Sequence, residues 1–319
     1  MRIPYRNALF YMLGHFFGKI SSALALQERL LGSERRAILK VGIIGAGRVG
    51  KCLAFELLAA DMLVGLTAST ESRNELLAMN FKTPCMTNVK LWEAADVLLI
   101  CVPDRLIGSV AAEIAAQVKP ATKVVLHVSG SMGLEPLAPL ARLGAHVGSL
   151  HPLQSFVDNF TRLKGAYMAI DGDNKARQTA KKLVKLFGGR PFVVPAGERG
   201  AYHAAACLCS NYAVAIEALA TQLMARWTGS EESAWEALLP LFCGTAENLG
   251  SACKPGEALT GPIARGDVTT VEKHLQALPK EFLPVYCSLG LATTKLALAN
   301  GTIDKEVADK LQGLLTAAV

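Results

Sequence analysis

Residues 39–60 read LKVGIIGAGRVGKCLAFELLAA. The apolar run Val41–Ile44 leads straight into Gly45-x-Gly47-x-x-Gly50, and an apolar helical pattern follows. A dinucleotide-binding turn requires this order of strand, glycine turn and helix; the same glycines elsewhere make only a flexible loop. Gly45 permits the tight turn off the strand, Gly47 keeps bulk away from a pyrophosphate, and Gly50 lets the helix approach the strand. The helix start offers N–H groups and a positive dipole end to phosphate oxygens. Gly45, Ala46, Gly47, Arg48, Val49 and Gly50 are therefore the expected phosphate-binding residues.

Downstream the pattern alternates. Met62–Thr67 reads as a strand, Glu71–Met79 as a helix, Asp96–Val102 as a buried strand and Arg105–Val118 as a helix. Lys123–His127 and Ala145–Leu150 follow as strands, and Gly165–Ile170 and Phe192–Val194 extend the set around a helix over 175–187. Apolar strands separated by helices predict an α/β fold with a parallel sheet covered on both faces. From Glu198 onward no strand pattern remains, and helical stretches run over 198–227, 231–250, 268–278 and 282–299. The break at Pro195-Ala196-Gly197 divides a dinucleotide-binding domain, 39–196, from an all-α domain, 197–319, behind an extension over 1–38.

The 319 residues, 51% hydrophobic and 19% charged, are enough for two cores. The net charge of +6 is concentrated at one end. Arg2, Arg6, Lys19, Arg29, Arg35, Arg36 and Lys40 face only Glu28 and Glu34 within the first 40 residues, so the folded body is close to neutral. Nucleic-acid binding loses its main support. The eight cysteines form no CxxC pair and lie mostly inside apolar patterns, which excludes a zinc or disulfide framework and suits a reducing cytoplasm. Residues 8–18 are too short an apolar run to span a bilayer, so no transmembrane segment is expected. Leu9, Leu13, Phe16, Ile20 and Leu24 share helical spacing, leaving a docked extension and an amphipathic targeting or membrane-surface helix both open.

NAD-preferring domains place an acid at the end of the second strand to hold the ribose hydroxyls. Here the place reads Thr67-Ala68-Ser69-Thr70, with Arg73 beyond. Hydroxyls plus an arginine suit a 2′-phosphate, so Ser69, Thr70 and Arg73 favour NADP over NAD; a plain Ser/Thr-rich turn is the alternative. Ligands of open α/β sheets bind outside the carboxyl ends of the strands. Val102 and Pro103 can line a nicotinamide there, and Ser129 joins them as a cofactor contact. His151, fixed before Pro152, is a candidate acid or base, whereas His127 lies inside its strand and reads as structural. In the helical half His203, Cys207 and Asn211 fall at i, i+4, i+8, one face of a single helix, so His203 and Asn211 join the candidate catalytic set. The stretch ALTGPIARGD, 258–267, offers Thr260, Arg265 and Asp267 to an anionic substrate; otherwise Asp267 merely caps the next helix.

The runs GIIGAGRVG, VPD, HVSGS, GSLHPLQSF, AYHAAACLCSNY, LLPLFCGTAENLG and ALTGPIARGD occur in order across about residues 39–299. Together they resemble the bacterial Rossmann-like proteins that carry a helical C-terminal domain of unknown function. That group is similar to the pyrroline-5-carboxylate reductases, the deazaflavin-dependent NADP oxidoreductases and the β-hydroxyacid dehydrogenases. The resemblance implies a Rossmann domain, then an all-helical domain that often dimerises, with the active site between them. It also implies a departure. The β-hydroxyacid dehydrogenases carry a lysine four residues before an asparagine on the first helix of the second domain. If Asn211 is that asparagine, Cys207 stands at the lysine position, which puts a β-hydroxyacid substrate in doubt. The expected activity is NADP-dependent hydride transfer to or from a small carbonyl or imine substrate, anionic where Thr260 and Arg265 engage it, by a homodimer. The rival is a non-catalytic NADP-binding sensor or scaffold, and a peripheral membrane protein is a weaker third reading.

Overall fold

The computed structural model describes residues 39–78, 82–158 and 161–318. The expected N-terminal extension and its amphipathic helix lie outside them. The chain divides into two units, one ending at Ser210 and the other beginning at Asn211, which places the division after the Pro195-Ala196-Gly197 break.

The first unit runs β1 (Val41–Ile44), α1 (Arg48–Ala59), β2 (Leu63–Thr67), α2 (Thr70–Ala78), α3 (Asn88–Ala94), β3 (Val97–Ile100) and α4 (Asp104–Gln117). It continues with β4 (Val124–His127), a short α5 (Ala138–Ala141), β5 (His146–Pro152), β6 (Tyr167–Gly172), α6 (Asn174–Leu186), β7 (Arg190–Val193) and α7 (Arg199–Cys209). The seven strands form one sheet in the order β2-β1-β3-β4-β5-β6-β7. β1 to β5 run parallel, and an isolated parallel bridge, Leu66 to Cys85, continues them beyond β2.

The sheet is not parallel throughout, as the strand pattern suggests it should be. β6 is antiparallel to β5, and β7 is parallel to β6. The cause lies in residues 153–166. A parallel return needs a crossover, usually a helix, and no helix occurs in this stretch among the described residues.

Period-two alternation fills both faces of the sheet. Val97 and Leu99 of β3 join Ile43, Leu53, Leu57 and Leu126 on one face. Leu98 and Ile100 join Ile44, Leu91, Ile107, Ile114 and Val125 on the other. α3, which the sequence pattern did not mark, supplies the buried Leu91 and Trp92. β1 lies between β2 and β3, so the chain order reverses there and a crevice opens at the carboxyl ends of β1 and β3.

The stretch 198–227, expected as one helix, is two. α7 ends at Cys209, Ser210 distorts the right-handed helical geometry to φ −116° and ψ −68°, and the next helix starts at Asn211. Serine and asparagine bond their own backbone readily, which favours a break at this pair. The second unit comprises α8 (Asn211–Thr228), α9 (Glu231–Ser251), α10 (Val268–Ala277), α11 (Leu283–Ala299) and α12 (Lys305–Ala317), the last also unmarked in the sequence pattern. Val271, Cys287, Ala297, Leu311 and Leu315 form its core. α8 and α9 pack on one another yet bury only Thr221 and Ala234. Two apolar stretches among the described residues, Ala196–Thr228 and Lys280–Ala299, have the length and composition of membrane spans. The first is interrupted at Ser210 and holds a fully buried arginine, and the second buries Cys287, Gly290, Thr294 and Ala297.

Candidate functional site

The glycine turn divides its work as the sequence suggests. Gly45 sits at φ +97°, a left-handed conformation that costs glycine nothing. Its N–H donates to the Thr67 hydroxyl at 3.0 Å, which spends that hydroxyl on holding the turn. A Cβ at Gly50 would lie 2.0 Å from the Gly45 carbonyl oxygen, so only glycine lets α1 come this close. A Cβ at Gly47 would meet nothing within 4 Å. Gly47 is the N-cap of α1, no side chain caps it, and no acid stands in the first helical turn. An open backbone cradle at an uncapped helix start without a nearby carboxylate fits a pyrophosphate. Ala46 is buried, whereas Arg48 is exposed at the start of α1 and Val49 is half-buried.

Ser69, Thr70 and Arg73 are exposed at the start of α2. The Ser69 hydroxyl accepts from the Ser72 N–H at 3.2 Å, so it also serves as a helix cap. Val102 is half-buried, and its Cγ1 would lie 2.9 Å from a Cβ on Gly45, which puts the end of β3 against the glycine turn. Pro103 caps α4 without a side-chain bond.

A polar cluster occupies the ends of β4 and β5. His127 is fully buried; its Nε2 is 2.9 Å from the Gly133 carbonyl, and its Nδ1 accepts the Ser129 N–H at 3.2 Å. This pairing puts the ring proton on Nε2, and burial pushes the imidazole down to about 4, so His127 is neutral and structural. Ser129, expected to touch the cofactor, spends its hydroxyl locally. It donates to Asp104 at 2.7 Å and accepts the N–H groups of Ser131 and Met132 at 3.3 and 3.1 Å.

His151 and His203 do come together, with ring centroids 5.9 Å apart and planes at 79°. Gly130 makes the space. A Cβ there would lie 2.6 Å from His203 Nδ1 and 2.8 Å from His151 Nε2. His203 Nδ1 is buried with no hydrogen-bond partner, an unusual cost unless a ligand supplies one. Burial, then the positive or potentially positive His203 and Arg199, push His151 down to about 4. Asn211, expected on the same helix as His203 and Cys207, is the first residue of α8, beyond the break at Ser210.

Two residues of this cluster carry no marker in the sequence reading. Arg199 is fully buried; it donates to the Ser129 carbonyl at 3.1 Å and to the Ser149 hydroxyl, tying α7 to the ends of β4 and β5. No carboxylate forms an ion pair with it among the described residues, although the charge of Asp171 partly offsets its burial. Tyr202 places its hydroxyl 2.6 Å from His151 Nδ1. The signal for both was an arginine and a tyrosine three apart inside an otherwise apolar helix.

In the second unit, Thr260, Arg265 and Asp267 lie in the connection leading into α10. Asp267 caps that helix, accepting the Thr270 N–H at 3.0 Å and the Thr270 hydroxyl at 2.6 Å, so its carboxylate is already engaged. Thr260 and Arg265 are exposed.

Two family models match in tandem: a Rossmann-like domain over residues 27–152 and a domain of unknown function, DUF2520, over residues 166–293. The chain thus carries a Rossmann-like α/β domain followed by a DUF2520 region that is helical beyond β7, in line with the resemblance read from its motifs. The seam between the two matches, 152–166, coincides with the antiparallel step from β5 to β6. A curated relative, D-apionate oxidoisomerase of Cupriavidus necator, is 33% identical over 103 residues, covering 32% of this chain and 35% of that protein. The match therefore spans about a third of the relative's length.

Among solved structures, a Bacteroides fragilis protein provisionally assigned as an NADP oxidoreductase is 19% identical, with a TM-score of 0.61 over 88% of this chain and 97% of that one. A 1-pyrroline-5-carboxylate reductase of Streptococcus pyogenes is 16% identical, with a TM-score of 0.53 over 86% and 98%. A reductive aminase of Aspergillus terreus, solved with NADPH and ethyl levulinate, is 17% identical, with a TM-score of 0.54 over 88% and 94%. These likenesses establish a fold shared with NADP oxidoreductases.

Proposed function

We propose that this protein is an NADP-dependent oxidoreductase acting on a small carbonyl or imine substrate. The observation that carries the reading is the unpartnered, buried Nδ1 of His203 beside His151, at the strand-end edge that also holds an open glycine turn. Backbone groups from Gly45 to Gly50 hold the pyrophosphate, and Ser69, Thr70 and Arg73 hold the 2′-phosphate. Val102 and Pro103 line the nicotinamide. The bound dinucleotide supplies hydride chemistry. His151 and His203 bind the reacting heteroatom and hold its proton, and Thr260 and Arg265 are proposed as an anion-binding pair of the helical unit.

The domain division at 196 and 197, a cytoplasmic location and a homodimer belong to the same proposal. Exposed apolar side chains on α8 and α9 support the dimer: Val214, Trp227 and Leu241 are 70%, 69% and 69% exposed. Apolar surface gathered on one helical hairpin is the kind that a second copy covers. Light scattering on the full chain tests this, and a monomer at micromolar concentration removes it. The rival reading, a non-catalytic NADP sensor, draws on Cys207, which stands at the lysine position if Asn211 matches the asparagine of the β-hydroxyacid dehydrogenases. Fluorescence titration should give tighter binding of NADPH than of NADH, and a panel of keto acids and cyclic imines should yield turnover. Tight NADPH binding with no turnover favours the sensor.

A further inference from the structure

Tyr202 is anchored more firmly than a half-buried tyrosine needs to be. Its ring packs edge-on against Phe192 of β7 at 5.8 Å and against His151 at 5.5 Å. One helical turn earlier, Arg199 fastens α7 to the Ser129 carbonyl and the Ser149 hydroxyl. The tyrosine hydroxyl therefore meets His151 Nδ1 at a distance fixed from two sides, while His151 Nε2 packs close against Gly130, where the lack of a side chain admits the ring. We propose, building on the oxidoreductase reading, that Tyr202 is the proton reservoir of this site. Its proton passes through the His151 imidazole to a substrate heteroatom that meets His151 Nε2.

The donor in the pair follows from acidity. A phenol gives up its proton more readily than a neutral imidazole does, so Tyr202 donates to Nδ1 and His151 carries its own proton on Nε2. Charge then decides how the proton moves. Arg199 and His203 on α7 disfavour an imidazolium at His151; His127 on β4 adds to this, and Asp104 at the start of α4 opposes it. Burial raises Tyr202 to about 12, and the same Arg199 pulls it back toward tyrosinate. A buried cation that penalises imidazolium and stabilises tyrosinate favours passage through His151 without a charged intermediate.

In the reducing direction the substrate carbon receives a hydride, that is, one hydrogen with two electrons, from the dinucleotide. The π pair of the C=O or C=N bond moves onto the heteroatom. That atom takes the proton from His151 Nε2, and Nδ1 takes the proton from Tyr202. Water restores the proton to the tyrosinate. In this sequence Tyr202 acts through His151, and Gly130 lets the His151 and His203 rings approach one another.

Nitrogen-15 NMR of the ring nitrogens, on the full chain without cofactor, reads the pair directly. His151 should show one neutral tautomer, protonated at Nε2, across pH 6–8, and Tyr202→Phe should convert it to a mixture. A tautomer unchanged by Tyr202→Phe overturns the relay. With a substrate found by turnover, Tyr202→Phe should lower kcat by about tenfold to a hundredfold with KM and NADPH affinity nearly unchanged. Gly130→Ala, whose backbone needs no left-handed angle, should abolish turnover while NADPH still binds. Unchanged kcat in Tyr202→Phe, or full activity in Gly130→Ala, overturns it as well. A correct tautomer in a protein that turns nothing over overturns the relay through failure of the oxidoreductase reading, so the two failures are seen separately.

Discussion

The glycine turn works by what its residues leave out, and the cluster around Gly130 works by what distant elements bring in. At Gly45–Gly50 three missing side chains create a bare helix start. Around Gly130, side chains from α4, β4, β5 and α7 meet within hydrogen-bonding distance. Both lie on the same edge of the sheet, because parallel strands put all their carboxyl ends together. The turn depends on local backbone conformation and requires glycine at positions 45 and 50. The cluster depends on tertiary assembly; hydrogen bonds hold the Arg199 charge, and burial keeps two imidazoles neutral.

The largest expected effect separates two glycines of the turn. Gly50→Ala forces a methyl group into the Gly45 carbonyl and should destabilise the fold by about 3 kcal/mol or more in urea unfolding. Gly47→Ala should leave stability within about 0.5 kcal/mol of the native protein, since the added methyl meets nothing, yet weaken NADPH by about tenfold or more. Equal stability of the two variants would mean that the turn is not packed as described.

The cluster should respond to pH. His127 titrates near 4 in the fold, below its ordinary value of 6.5, so the unfolded chain binds the proton more readily. Stability from this group is complete above about pH 6.5 and declines as pH falls toward 4, by on the order of 3 kcal/mol. Unfolding at pH 7 and pH 4.5 checks the slope, which His127→Gln should flatten. A slope unaltered by that substitution would remove the buried neutral imidazole.

Of comparable or smaller size is the cofactor preference at the turn's far side. Arg73→Ala should cost NADPH about 1.5–3 kcal/mol and leave NADH nearly untouched, as titration of both would register. Equal affinity of the intact protein for both cofactors contradicts the role of Ser69, Thr70 and Arg73. Outside both regions, Asp267→Ala should remove only the cap of α10, costing about 1 kcal/mol with NADPH affinity unchanged. A large loss of cofactor affinity there would tie this cap to the site.

What the sequence made legible follows the same division. The strand, the three glycines and α1 are adjacent residues whose meaning is local, and the order of strands up to β5 follows from their apolar runs. The antiparallel β6 was not legible, because Gly165–Ile170 looks alike in either direction; its direction goes with the stretch before it, in which no described residue is helical. The break at Ser210 was hidden inside an unbroken apolar pattern, so His203 and Asn211 fall on two helices rather than one. His151 and His203 stood out as polar residues in apolar settings. Tyr202 and Arg199 did not, because their roles depend on Ser129, Ser149 and His151, which lie about 50 or more positions away.

One measurement tests most directly whether turn and cluster form a single reaction site. NADPH deuterated at nicotinamide C4 is incubated with the full chain and a panel of small carbonyls and cyclic imines, and the products are read by mass spectrometry. If hydride and proton meet at this edge, at least one product gains a deuterium on its former carbonyl or imine carbon. His151→Ala should lose about 10²–10⁴ of the rate while binding NADPH as before. Tight NADPH binding with no label in any product, or full label transfer in His151→Ala, would contradict it.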